Sequence, residues 1–365
     1  MKDTPIKTVH LPDPRRVYRV AQWSTGRIGI CALRNLISSP QMEVVGVYVH
    51  SAEKDGRDAG ELCGLDPIGV RATRDIEKII ALKPDCVVAV QEGDNIDDIC
   101  RFLEAGINVA TSRVSFVDPF SMDQGVRQRI EAACRRGRSS LHASGASPGF
   151  GSESLPLVAA TLTRTIDAMV IDEFALVTLS CPDAQITDVM HFGRQPGDAF
   201  DPDILAHLAK GFVQAVPIVG RGLGLKLDGC EVTGEVATAR NRFLLPGGTP
   251  IERGTVAAQR VTISGMLNGK PIIRYRVNWY CTKDVNEDWD LRPSGWRVQI
   301  EGDVPVDINV TFPVSGEKLS PAMAGLTAYR VINAIPHVCA AEPGILTVLD
   351  LPNLAPQMDR RMLAA

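Results

Sequence analysis

The sequence predicts an α/β fold: a Rossmann-type doubly wound parallel sheet followed by a second α+β domain with a mainly antiparallel sheet. Three observations lead there. Between Tyr18 and Leu36 a β-forming run, a glycine turn and a helical spacing of apolar residues follow one another. From there to about residue 150, short apolar strands alternate with helix-length segments, the rhythm of right-handed βαβ crossovers. Beyond it come long strand-like runs joined by short turns, the pattern of antiparallel pairing. At 365 residues the chain exceeds one typical domain. The expected division is 1–150 for the first domain, 151–320 for the second, and 321–365 for a helix and tail that return to the first.

Residues 1 to about 15, rich in proline and charge, read as an arm. Arg19–Trp23 is the first strand, Ser24–Gly29 the turn, and Ile28, Cys31, Leu33, Leu36 and Ile37 mark the first helix. Strands are expected at 44–49, 86–90, 108–111 and 140–143, and helices at 75–82, 95–105 and 123–136, with Gly106 and Gly137 as stops. After the loop 144–149 a helix is expected at 154–163 and a strand at 168–179. A helix near 203–216 then precedes strands at 231–245, 256–267, 272–280, 296–301 and 306–312, with a hairpin turn at Leu267-Asn268-Gly269-Lys270. The last apolar helix, 322–334, is expected to pack on the first domain.

Composition narrows the function. A 45% hydrophobic and 22% charged chain is an ordinary globular protein, and a formal net charge of −4 gives no general attraction to nucleic acid or anionic membrane. No segment approaches 18 uninterrupted apolar residues, and the N-terminus lacks the apolar run of a secretory signal, so a cytoplasmic protein is expected. The nine cysteines form no C-x-x-C pair and the six histidines no H-x-x-x-H, so reduced thiols and no metal site are expected.

The strand-turn-helix unit is where chemistry enters. A helix N-terminus behind a glycine turn offers N–H groups and a positive dipole end to a pyrophosphate. Ser24, Thr25, Gly26, Arg27, Ile28 and Gly29 are therefore the candidate dinucleotide cradle, with Gly26 admitting the phosphates and Gly29 the close packing of helix on strand. Ser24 stands where G-x-G-x-x-G has its first glycine. At the end of the second strand an acid would hold the ribose hydroxyls of NAD(H), but position 50 is histidine, followed by Ser51, Lys54 and Arg57. Those groups suit the 2′-phosphate of NADP(H), with NAD(H) the alternative, and Glu53 and Asp55 stand among them. In an open parallel sheet the ligand crevice lies outside the carboxyl ends of the strands. Glu92, Ser144 and His142 stand at those ends. Glu92 and His142 are acid–base candidates by position, or a solvated carboxylate and a buried histidine bonded to backbone. Asp172 and Glu173 interrupt a strand otherwise fit for burial, so each needs a partner or a cleft.

The segments RVAQWSTGRIG, VGVYVHSAEKDGRDAGELCG, LHASGASPGFGSESLPLV, VIDEFA and LTAYRVINAIPHVCAAEPGILTVLDLP resemble the dihydrodipicolinate reductase-like oxidoreductases, a family that includes 2,4-diaminopentanoate dehydrogenase and the native amine dehydrogenases. The resemblance covers about residues 17 to 352. It implies a Rossmann domain with an α+β domain, a homodimer, and NADP(H) or NAD(H) as hydride carrier for a small-molecule substrate. The H-H-x-x-K segment of dihydrodipicolinate reductase itself is absent. The resemblance also implies a glutamate at the position of Ser115, where it engages the amine or activates ammonia and water.

The reading that follows is an NAD(P)H-dependent oxidoreductase acting on a small carbonyl, imine or amine, with carbonyl reduction favoured because Ser115 cannot do a carboxylate's work. Ser115, Ser144, His142 and Glu92 are its candidate donors. Reductive amination through another acid, hydride transfer to an activated double bond, and a non-catalytic dinucleotide-binding regulator are the alternatives.

Overall fold

The computed structural model describes residues 12–13, 15–198, 202–314 and 319–356; most of the expected N-terminal arm lies outside the described residues. The chain divides into two compact units, 1–149 with 324–365, and 150–323.

The first unit runs β1 (Tyr18–Trp23), α1 (Arg27–Ser38), β2 (Met42–Tyr48), α2 (Ala59–Leu62), β3 (Ala72–Thr73), α3 (Ile76–Ala81), β4 (Cys86–Ala89), α4 (Ile96–Glu104), β5 (Asn108–Thr111), α5 (Gln124–Gly137) and β6 (Ser140–Ala143). β4 and β6 are buried along their whole length, as strands covered on both faces must be. α1 buries Gly29, Ala32, Leu33 and Leu36, one stripe at helical spacing.

The second unit holds α6 (Leu155–Ala159), β7 (Ile166–Leu176), α7 (Pro202–Ala209), α8 (Ala215–Gly222), β8 (Gly229–Thr238), β9 (Phe243–Leu244), β10 (Pro250–Ile251), β11 (Val256–Leu267), β12 (Lys270–Tyr280), β13 (Gly295–Gly302) and β14 (Val306–Thr311). Six strands form a sheet ordered β14-β13-β7-β12-β11-β8. Every neighbouring pair is antiparallel except β7 with β12. Asn268 and Gly269 both have positive φ, 51° and 72°, so β11 and β12 turn as the Asn-Gly pair leads one to expect. One face, with Met169, Ile171, Ile273, Tyr275, Val298 and Ile300, packs with Val216 and Val219 of α8. The other face carries Asp172 and Arg276 and, at its β8 edge, the exposed Glu231, Thr233 and Glu235, while Phe174, Ala237, Ala258 and Tyr280 at one end of it enter a second core with Ile186, Met190 and Phe192. Two expected elements divide: the helix at 203–216 is α7 and α8, and the strand at 231–245 stops at Thr238, with 243–244 pairing separately as β9.

The chain closes with α9 (Leu319–Ala340) and β15 (Gly344–Leu346). α9 places Ala328, Val331, Ile332 and Ile335 in one core with Tyr18, Val20 and Leu33 of the first unit. β15, unanticipated from the sequence, pairs parallel with β6 and extends the sheet to β15-β6-β5-β4-β1-β2-β3.

Candidate cofactor and substrate site

β1 delivers the chain into Ser24, whose φ is +79°. That left-handed conformation explains why glycine is usual at the first position of the motif, and the serine here adopts it, so the turn keeps its path. Gln22, wholly buried, donates from Nε2 to the Ser24 carbonyl at 2.9 Å and holds it in place. A side-chain carbon at Gly29 would overlap that same carbonyl, so α1 sits against the turn at a separation only glycine permits. At Gly26, the N-cap, a side-chain carbon would have nothing within 4 Å. α1 has no side-chain cap, leaving its positive end toward the open space at Gly26. Thr25 is buried, Ile28 half-buried and Arg27 exposed at the start of the helix.

A basic rim borders this turn. Lys54, on a short turn of helix Ala52–Lys54 begun by Ser51, donates from Nζ to both the carbonyl and the hydroxyl of Thr25 at 3.3 Å. Arg74 donates to the His50 carbonyl at 3.1 Å. Arg57 is exposed nearby in sequence, and its carbonyl accepts from Ala72. The buried carboxylate of this loop, Asp58, is turned inward onto the amides of Gly60, Ile68 and Gly69 at 2.8, 2.9 and 2.8 Å. The Ile68 amide first, then those of Gly60 and Gly69, hold its pKa below the usual range. His50 lies edge-on to Tyr48, which stacks on Trp23 at 3.9 Å.

Along the same carboxyl edge, Glu92 is exposed after β4. Asp94 pairs with Arg113, 3.1 Å away after β5. Ser115 is half-buried in the helical turn Val114–Phe116. His142 is a correction to the acid–base reading. It is 1% exposed inside β6, and its Nδ1 donates to the Leu346 carbonyl of β15 at 2.9 Å. Burial pushes its pKa down to about 4, with that hydrogen bond acting in the opposite sense, so it is neutral at neutral pH. Ser144, just past β6, is buried, and Arg330 of α9 donates to its Oγ at 3.4 Å.

Sequence reasoning brought the Ser24–Gly29 turn, Ser51, Lys54, Glu92, Ser115 and Ser144 to one edge of one sheet. It missed Arg74 and Arg330. Arg74 is 24 residues from His50, and no local spacing flags it; Arg330 lies within a segment that carried the family resemblance but reaches Ser144 across 186 residues of sequence. In the second unit, Asp172 is bound by Arg276 through Nε at 2.7 Å and Nη2 at 2.5 Å, and by Asn278 at 3.1 Å. Glu173, on the opposite face of β7, accepts from the Tyr275 hydroxyl at 2.9 Å and from Trp296 Nε1 at 3.4 Å.

Residues 199–363 match the family described as 2,4-diaminopentanoate dehydrogenase C-terminal domain, and residues 24–106 match dihydrodipicolinate reductase, N-terminus. A protein named amine dehydrogenase from Streptomyces virginiae is 31% identical over 352 residues, 93% of this chain and 97% of the relative. A 4-hydroxy-tetrahydrodipicolinate reductase of Synechococcus elongatus is 32% identical over 63 residues, 17% of this chain and 23% of its own. Among solved structures, the amine dehydrogenase from Mycobacterium smegmatis shares the fold with a TM-score of 0.72 at 18% identity, covering 93% of this chain and 98% of that one. Dihydrodipicolinate reductase from Paenisporosarcina sp. TG-14 does so with 0.50 at 12% identity, covering 92% and 100%. The chain is thus an oxidoreductase and belongs to the dihydrodipicolinate reductase-like family, in the group that holds the amine dehydrogenases and 2,4-diaminopentanoate dehydrogenase.

Proposed function

We propose that the protein is an NADPH-dependent reductase of small carbonyl or similarly polarised compounds. The turn fits a dinucleotide because the position a Cβ would take at Gly26 is open and the helix behind it has no side-chain cap. The backbone from Gly26 to Gly29 would hold the pyrophosphate, and Ser51, Lys54, Arg57 and Arg74 would meet a 2′-phosphate, with His50 in place of the acid that NAD(H) favours. When bound, the nicotinamide supplies the hydride.

The observation that carries the carbonyl reading is the Arg330–Ser144 contact at the carboxyl edge. An alkoxide developing as hydride arrives needs a donor. The Ser144 oxygen accepts from a guanidinium, which polarises its own O–H to donate onward. Ser115, also a hydroxyl, can donate but cannot hold a negative charge near neutral pH. The Arg330 guanidinium favours an oxyanion over an ammonium. The full-length likeness to a protein named amine dehydrogenase supports a second reading, reductive amination, with Glu92 in the role of the acid.

Ketones and aldehydes assayed with NADPH, with and without ammonia, in wild type and Ser115→Glu, separate the two. Turnover independent of ammonia in the wild type is expected. Robust ammonia-dependent turnover by the wild type returns the protein to amine chemistry, and NADPH binding without turnover of any substrate supports a regulatory protein. A homodimer and a cytoplasmic location belong to the same proposal, and light scattering of the purified protein tests the first.

A further inference from the structure

At the edge of the first unit opposite the glycine turn, α1 ends and β2 begins beside the C-terminal half of α9. A cavity of about 430 Å3 lies there, lined by Asn35 and Ser38 of α1, Gln41 and Met42, and Ile332, Asn333, Pro336 and His337 of α9. Its volume is within the range of about 300–1,000 Å3 usual for small-molecule sites. We infer that this cavity is a second binding site, for a small uncharged molecule that carries N–H donors on a compact apolar body.

Three features of the wall call for a hydrogen-bonding partner, and two of them call for a donor. Pro336 stands inside α9 and has no N–H to return to the carbonyl of Ile332 one turn earlier, and both residues face the cavity. Nδ1 of His337 is buried without a hydrogen-bond partner among the described residues. The last turn of α1, which contributes Asn35 and Ser38, holds no basic residue, so the negative end of its dipole has no cationic complement.

The same wall excludes ions. None of its side chains is an acid, a lysine or an arginine, and burial lowers the pKa of His337, which keeps the imidazole neutral. An anion would face carbonyls and the negative end of a helix, and a full cation would be buried without a counter-charge. Met42, Ile332 and the prolines at 40, 336 and 356 give the ligand its apolar body. α1 joins this cavity to the glycine turn: twelve residues at 1.5 Å each make a rod of about 18 Å with one site at either end.

The test follows the ring resonances of His337 by NMR in the full-length protein, with and without NADPH, on titration with cyclohexanecarboxamide and with its acid, cyclohexanecarboxylate. The expected result is a saturable shift with the amide and at least tenfold weaker binding of the carboxylate. Asn333→Trp, which fills the cavity, removes the shift and leaves NADPH affinity unchanged; Ser38→Trp, at an exposed position on the opposite wall, does the same should the first variant fold poorly. No saturable shift up to the solubility of the amide, equal binding of the carboxylate, or a shift that survives in a folded filled variant overturns the assignment. Titration without NADPH decides the matter even if the cofactor reading fails.

Discussion

The Ser24 carbonyl occupies the space that a side chain at Gly29 would need, so turn and helix are fitted to each other through one backbone oxygen. Gly29→Ala must push α1 away from β1 and should both destabilise the protein and weaken dinucleotide binding. Gly26→Val meets no protein atom and should leave stability within about 1 kcal/mol while lowering NADPH affinity, since its side chain enters the phosphate cradle. Thermal unfolding and fluorescence titration of the pair check this; a Gly26→Val protein that binds NADPH like the wild type places the phosphates elsewhere.

Ser24 itself holds a backbone conformation that costs an L-residue about 1–2 kcal/mol. Ser24→Gly relieves that cost against the greater freedom of glycine in the unfolded chain, about 0.5–1 kcal/mol. A net stabilisation of between about 0 and 1.5 kcal/mol is expected in denaturant unfolding. Destabilisation would mean that the hydroxyl makes a contact worth more than the strain.

Lys54 and Arg74 reach the turn and the end of β2 from separate segments. A charge-assisted contact contributes about 1.5–3 kcal/mol, and 1.4 kcal/mol is tenfold in affinity. Arg74→Ala and Lys54→Ala should therefore each weaken NADPH by about tenfold or more, with Arg74→Ala leaving NADH affinity nearly unchanged. Isothermal titration with both cofactors decides it, and equal losses for NADH and NADPH in Arg74→Ala would remove that residue from the 2′-phosphate site.

Asp172 is 1% exposed and bound by Arg276 and Asn278. Removing one member of such a pair leaves a charge uncompensated and costs about 3–5 kcal/mol. Asp172→Ala should lose stability on that scale, measured by denaturant unfolding, whereas a loss below about 1 kcal/mol would show that Arg276 finds water instead.

The pKa of His142 falls from its ordinary 6.5 to about 4 on folding. Between those values the unfolded chain takes up a proton that the folded chain refuses, so this contribution is full above pH 6.5 and is lost as pH drops toward 4. The loss is on the order of 3 kcal/mol. His142→Gln should flatten the fall of unfolding free energy with acid. An unchanged pH dependence in the variant contradicts the burial of a neutral imidazole.

The strands 108–111, 140–143 and 256–267 were legible to the residue, since the glycine turns at 106, 137, 254 and 268–269 mark their limits. β15 was not, because a three-residue segment opening with glycine has no period of its own and becomes a strand only by pairing with β6. The split of the helix at 203–216 escaped for a related reason: apolar residues on both sides of 210–214 conceal a turn that contains a single glycine. In the candidate site, residues carried by the turn and by strand ends could be placed by sequence alone. Those that matter through a distant partner, Arg74 toward His50 and Arg330 toward Ser144, could not.

The first unit is built from both ends of the chain: α9 and β15 supply part of its core and one edge of its sheet, yet they follow the whole of the second unit. On a ribosome, residues 18–143 emerge with Tyr18, Val20 and Leu33 still lacking the cover of Val331, Ile332 and Ile335. At about 5–20 residues per second, the delay before residue 346 appears is roughly 10–40 seconds. The nascent sheet, with six of its seven strands, must spend that interval exposed, with the outer edge of β6 open to any strand that can pair with it. A fragment cut after residue 149 stays in that state permanently. Protein made as such a fragment should aggregate in the cell, and supplying residues 324–365 as a separate chain during synthesis is the way to rescue it.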